Sequence, residues 1–384
     1  MGAALFWGAA RGYLRCVQLT CFGMRPEFAA ANCYVNGCSP LACASANGHA
    51  SVVRFLIARK AFPVNEADPQ GQTALSLAAG RAQRGVISIL LSMVPSSDLD
   101  LNQRDYKGRS AIFMACNLDE PLLVQQLVCE SRTDADMLDN EGRSALSWAC
   151  EAGFADTVET LVRHNVRIGL QDRRGMTPLM YAVKSRDFKT VKILLRHKSR
   201  QASSARLRDI NKAAKDHAGR NAVSWAASIQ ESRILELLLY HFPEEAKISD
   251  INGWFPLAWA MNPPGFLRNA RQLIPHCGDV MGTRDYAGNS LLGIAVLWAQ
   301  WDIAQLLLEQ TAIKVNMENS IGRTALSLAA ASGPLELVRH LVALRNASPA
   351  IVDSGGRSPL DWARRNENHD VVAYLQQIER KTSR

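Results

Sequence analysis

The sequence predicts an all-α solenoid of about ten to eleven helix-turn-helix units with short hairpin loops. Three columns of residues predict it. Glycines stand at Gly37, Gly71, Gly108, Gly142, Gly175, Gly219, Gly253, Gly288, Gly322 and Gly356, in steps of 33 to 37 residues apart from one step of 44. An Asp lies three before most of them, from Asp68 to Asp353, with Asn319 as a substitute. An aliphatic residue sits about four after each, with the eighth unit read one residue early at Leu291. A second aliphatic stripe, such as Val53/Leu56/Ile57 or Leu235/Leu238/Leu239, keeps its own fixed offset.

Residues 139–153 show the plan of one unit. Asp139 and Gly142 make a turn, and Ala145, Leu146 and Ala149 begin a helix. Gly153 ends that helix, and Val158, Leu161 and Val162 give the next one its apolar stripe. Such a layer is too thin to bury its own apolar face, so it must stack on copies of itself. We therefore expect one array over residues 1–384, with an irregular N-terminal cap unit at 1–35 and a C-terminal cap unit at 353–384.

Composition excludes several classes. The chain is 47% hydrophobic and 21% charged, with a net charge of +8 over 384 residues, which is too mild to imply nucleic-acid binding. No apolar run reaches the roughly 18 residues of a membrane span, and the N-terminus lacks a basic leader pattern. The nine cysteines include no C-x-x-C pair and read as free thiols of an intracellular protein. Cys33, Cys38 and Cys43 recur at a spacing of five that fits no zinc pattern, so no metal or cofactor is expected.

Thr177-Pro178-Leu179, Ser39-Pro40-Leu41 and Ser358-Pro359-Leu360 open the first helices of their units. With the period, they mark a chain that resembles the ankyrin-repeat family over about residues 4–380. The family's His is replaced, usually by Ser, as in Ser-Ala-Leu-Ser-Trp-Ala at 144–149. The Gly-Arg-Ser/Thr-Ala-Leu-Ser variant resembles ankyrin arrays common in fungal proteins.

Departures from the pattern come at four places. Residues 5–21 look like a helix pair without a preceding hairpin, either a native cap or part of a longer chain. An insertion at 196–215 carries seven Lys or Arg, among them Lys198, Arg200, Arg206, Arg208, Lys212 and Lys215, and reads as a solvated loop. After Gly253, Asn262-Pro263-Pro264-Gly265 should cut the first helix short and displace the second stripe to Ala270, Leu273 and Ile274. In the last unit Val372 and Leu375 are followed by polar Gln376, so the array should end near Ile378.

No nucleophile elbow, metalloprotease helix, phosphate loop or dinucleotide fingerprint occurs, so an enzyme is not expected. His164, His197 and His241 fall at ends of second helices and read as caps. The Arg column (Arg109, Arg143, Arg220, Arg323, Arg357) reads as a ladder neutralised by the Asp column of adjacent hairpins. An aromatic column on the first helices includes Trp148, Trp225, Trp259 and Trp362.

The resemblance implies that hairpin tips and inner-helix positions form a concave binding face. On that footing Trp254, Trp259 and Tyr286 should converge as a binding patch, flanked by Trp225, Trp298, Trp301, Arg220 and His217. Trp298 is read as replacing a helix-ending Gly, and Trp254 as a tip residue free of packing. The function expected is a scaffold that binds a protein partner, with no nucleic acid and no membrane. The alternative is a non-canonical enzyme or small-molecule binder using the aromatic pocket around residues 220–301.

Overall fold

The Asp of each hairpin holds the turn. Asp139 Oδ1 accepts the backbone N–H groups of Glu141 at 2.9 Å and Arg143 at 2.8 Å, a side-chain substitute for a backbone ladder. Asp105, Asp172, Asp216, Asp250 and Asp353 do the same, and Asn319 supplies an amide oxygen instead. The hairpin glycine is left-handed, with φ 78° at Gly288, and a Cβ there would lie 2.5 Å from the Ser320 backbone nitrogen. Torsion and space both exclude a side chain.

Residues 2–22, 33–196, 214–262 and 265–382 are described in the computed structural model, and among them are 22 α-helices. The chain divides into two compact bodies, Met1–Ser203 and Ser204–Arg384. The first runs in helix pairs from α1 (Gly2–Ala10) and α2 (Leu14–Phe22) to α11 (Pro178–Lys184) and α12 (Phe188–Arg196). The second runs from α13 (Ala222–Ala227) and α14 (Ser232–His241) to α21 (Pro359–Arg365) and α22 (His369–Thr382). Neighbouring tips within a body share at most one backbone bond, such as Asn140 N–H to Lys107 O at 2.9 Å and Tyr286 N–H to Asn252 O at 3.0 Å. One bond per step does not build a sheet, and the β-pairing among the described residues is confined to isolated bridges.

Each inner helix, the first of its pair, starts at a cap two residues after the hairpin glycine. Ser144 Oγ accepts from Ser147 N–H, and Thr73 and Thr324 form reciprocal capping boxes with Ser76 and Ser327. Thr177 and Ser358 cap helices whose first residue is Pro, where a missing N–H costs nothing. Between inner and outer helices the aliphatic columns close completely: Leu75, Ile87 and Leu90, or Leu146, Val158 and Leu161, are at most 1% exposed. Each such Leu is worth about 2–5 kcal/mol against Ala.

Several expectations need correction. Ser290 caps its helix, so Leu292 and not Leu291 fills the aliphatic slot of that repeat. The residue in the helix-ending Gly position is then Ala299, with φ 55°, while Trp298 is the preceding C-cap. The helix Pro256–Met261 is six residues long, as are Ala74–Ala79 and Ala111–Cys116, so it is not shortened. The displaced stripe does occur, with Asn269, Ala270, Leu273 and Ile274 buried; Asn269 Nδ2 donates to the carbonyls of Ala226, Ala227 and Ile229 at the end of α13. In the last pair the buried residue is Val371, not Val372, and α22 continues past Ile378 to Thr382. The insertion at 196–215 lies almost wholly outside the described residues, as do His197 and Pro263-Pro264.

Candidate functional site

The Asp, Arg and aromatic columns are one structure, not three. In the second body Asp216 Oδ2 accepts from Arg220 Nε at 2.8 Å and from Trp225 Nε1 at 3.1 Å, and the Arg220 guanidinium stacks 3.9 Å above the Trp225 ring. In the first body Asp139 holds Arg143 and Trp148 alike, with the guanidinium 4.0 Å from the ring. Tyr181 takes the indole's part at Asp172, its hydroxyl donating at 2.5 Å. Arg109, Arg143, Arg220 and Arg357 therefore pair with the Asp of their own hairpin, which corrects the expected neutralisation between adjacent hairpins. Arg323, whose hairpin has Asn319, lies over the next repeat's Trp362 ring at 3.9 Å. Four residues separate Arg from Asp, and the turn folds them together. The buried carboxylate satisfies two backbone amides, an indole and a guanidinium at once.

Where the sequence drops an Arg, the arrangement changes. Trp254 occupies the Arg slot of its tip, and Asn289 that of the next. Trp254 donates its Nε1–H across to Asp285 Oδ2 at 3.2 Å, and Asn289 donates to the same oxygen at 3.3 Å. Asp250 keeps its inner-helix indole, Trp259, at 3.1 Å. Among the described residues neither Asp250 nor Asp285 has an ion pair. The rings then pack edge to face: Trp254 lies 5.4 Å from Trp259 and 5.1 Å from Trp298, at interplanar angles of 69° and 83°. Arg220 reaches in from the preceding tip, 5.2 Å from the Trp259 ring.

This cluster lines a cleft of about 300 Å³ bounded by Asn252, Trp254, Asp285, Tyr286, Leu297 and Trp298. Tyr286 is 79% exposed at its rim, and Leu297 is 48% exposed. The structure thus brings together Trp254, Trp259, Trp298, Tyr286 and Arg220. Trp225 joins through Arg220. His217 is exposed on the preceding tip, and Trp301 is half-buried at the start of the outer helix Trp301–Leu308, outside the ring stack. Trp254 is half-buried between two rings, so the expectation that it stands clear of packing does not hold. Sequence reading missed Leu297, Asn252 and Asp285, because a tip Asp looks structural in each repeat. A larger recess, about 470 Å³, lies in the first body between outer-helix ends around Phe62, Val64 and Val94, and carries none of these aromatic residues.

A family model of ankyrin repeats matches residues 5–105, 111–209 and 292–383. The chain belongs to the ankyrin-repeat family. Ankyrin repeat domain-containing protein 63 of human and of mouse are each 44% identical to it over 71 residues, 18% of either chain. The chain thus spans about a fifth of the length of those curated relatives. Among solved structures, the crystal structure of the ankyrin repeat domain of Bcl-3, described as a unique member of the IkappaB protein family, is 26% identical. It matches with a TM-score of 0.50, over 61% of this chain and 97% of that one. Ankyrin repeats are in general protein–protein interaction modules. No helix among the described residues is long and apolar enough to cross a membrane.

Proposed function

We propose that this ankyrin chain is a scaffold whose second body holds a protein partner on its tip and inner-helix face, the concave face of ankyrin arrays. The observation that carries this is the aromatic cleft between the tips at Asp250 and Asp285, with Tyr286 and Leu297 open to solvent beside packed Trp254 and Trp298. Interface energy concentrates in such anchored aromatic residues. With no guanidinium paired to it, Asp285 brings to the cleft a carboxylate that is held by neutral donors and is not charge-neutralised, so it attracts a cation. The partner that fits presents an apolar side chain beside a basic one.

Photo-crosslinking tests this directly. A benzophenone amino acid placed at Tyr286 or at Leu297 should yield a protein adduct in cells, and the adduct should weaken with Asp285→Asn. The same probe at Tyr240, 83% exposed on α14, is the control. Equal adducts at all three positions, or none at 286 and 297, would overturn the assignment.

A further inference from the structure

The hairpin at Gly37 puts two thiols where other tips put a guanidinium and an indole. Cys38 follows Gly37 as Arg143 follows Gly142, and Cys43 lies six after Gly37 as Trp148 lies six after Gly142. These slots touch in four later repeats. Arg143 lies 4.0 Å from Trp148, Arg220 3.9 Å from Trp225, Arg357 4.5 Å from Trp362, and Trp254 5.4 Å from Trp259. The repeat backbone therefore forces the occupants of the two slots together. At this tip it brings the Cys38 and Cys43 sulfurs to 3.3 Å, in hydrogen-bond contact. No Asp competes for them: Tyr34 stands three before Gly37 and turns its hydroxyl to Glu66 at 2.5 Å.

We propose that Cys38 and Cys43 are a redox-sensitive pair that a hydroperoxide converts into an intrachain disulfide. The Cys43 thiolate attacks the peroxide's terminal oxygen and the O–O bond breaks, leaving a sulfenic acid on Cys43 and, from hydrogen peroxide, a hydroxide that takes up the proton Cys43 released on ionising to give one water. The Cys38 sulfur then attacks the Cys43 sulfur, and its proton leaves with the departing hydroxide as a second water. Two thiols are oxidised by two electrons and one peroxide is reduced.

The surroundings assign the two parts. The bond from Cys38 and the charge of Arg81 favour the Cys43 thiolate, against burial and Asp68. The same bond holds the proton on Cys38 and pushes its thiol up. Cys43 is thus the attacking sulfur and Cys38 the resolving one. Both are half-buried, within reach of a small oxidant. Cys116, Cys150 and Cys277 are sealed in the core, where burial pushes each thiol up and away from reaction, Cys277 to about 12. Cys129 is exposed, but no second thiol is bonded to it. Among the described residues no group of three His, Cys, Asp or Glu that could hold a metal ion includes the pair.

The test is oxidation of the intact native chain with hydrogen peroxide at neutral pH, followed by alkylation in denaturant and mass spectrometry. The expected product has lost two hydrogens, carries a Cys38–Cys43 linkage assigned by fragmentation, and is restored by dithiothreitol. It should form about tenfold faster than Cys129 is oxidised. Cys38→Ser should stop at a Cys43 sulfenic acid that dimedone traps, and Cys43→Ser should give neither product. Urea-unfolded chain should lose the preference. Pairing of Cys38 with Cys33, a rate no greater than that of Cys129, or the same rate in urea would each overturn the proposal.

Discussion

Glu245 carries a pH dependence whose size follows from its surroundings. It lies in the short 3-10 turn Pro243–Lys247 after α14, packed under α13, and is 5% exposed. Neither carboxyl oxygen has a well-formed hydrogen-bond partner. Burial pushes the acid from 4.5 up to about 7, with the Val223 backbone N–H pulling the other way. The folded state therefore binds this proton more tightly than the unfolded chain does. Below about pH 4.5 both states hold it and folding carries no penalty. Between 4.5 and 7 the penalty grows, and above 7 it is complete, at about 3 kcal/mol from roughly 1.4 kcal/mol per tenfold difference in proton affinity.

Glu245→Gln keeps the shape and removes the charge. Stability relative to wild type should rise from pH 5 to pH 8 by most of that 3 kcal/mol. The amide's own unmade hydrogen bonds, about 1–3 kcal/mol, subtract a constant at all pH values. The difference in slope is thus the decisive quantity. Tryptophan fluorescence during urea unfolding reads it, since Trp225, Trp254, Trp259, Trp298, Trp301 and Trp362 all lie in the second body. Parallel pH profiles for wild type and Glu245→Gln would refute the reasoning, because a carboxyl that ionises freely in the fold has found water or a donor.

Three further outcomes are expected. Asp216→Ala orphans two backbone amides and an indole and should cost about 2–4 kcal/mol, whereas Arg220→Ala, which removes a half-exposed partner, should cost about 1 kcal/mol or less; thermal melts separate them. Ala82 holds φ 55° in the slot that Gly48 and Gly153 fill elsewhere, so Ala82→Gly should raise stability by about 0.5–1 kcal/mol in urea titration, and a fall would count against it. Trp254→Ala removes two ring contacts and a hydrogen bond and should destabilise by about 2–4 kcal/mol, while Tyr286→Ala should change the melt by less than about 0.5 kcal/mol. Tyr286, rather than Trp254, is then the variant that can separate binding from folding.

The sequence by itself determined the repeat. Gly142 and its counterparts need a left-handed backbone, Leu146 and its counterparts need burial, and both demands are local enough to repeat visibly at a fixed spacing. The period also told which positions are tips and which are inner helix, and so pointed to Trp254, Trp259 and Tyr286. What it did not contain was direction. Whether an Arg pairs with its own Asp or its neighbour's depends on how the turn folds four residues back on themselves, and the fold chose its own. Whether a tip Trp stands free or leans on the next repeat depends on what that repeat offers. Here Asp285 lacks an Arg and accepts the indole, and Trp298 supplies a ring from the end of its helix. A one-residue error in register, Leu291 for Leu292, hid why Trp298 lies there. The same repeat geometry that makes tips equivalent brought Cys38 to Cys43, a contact that a spacing of five residues does not reveal, because the Ser39 cap and the start of the helix between them set the distance.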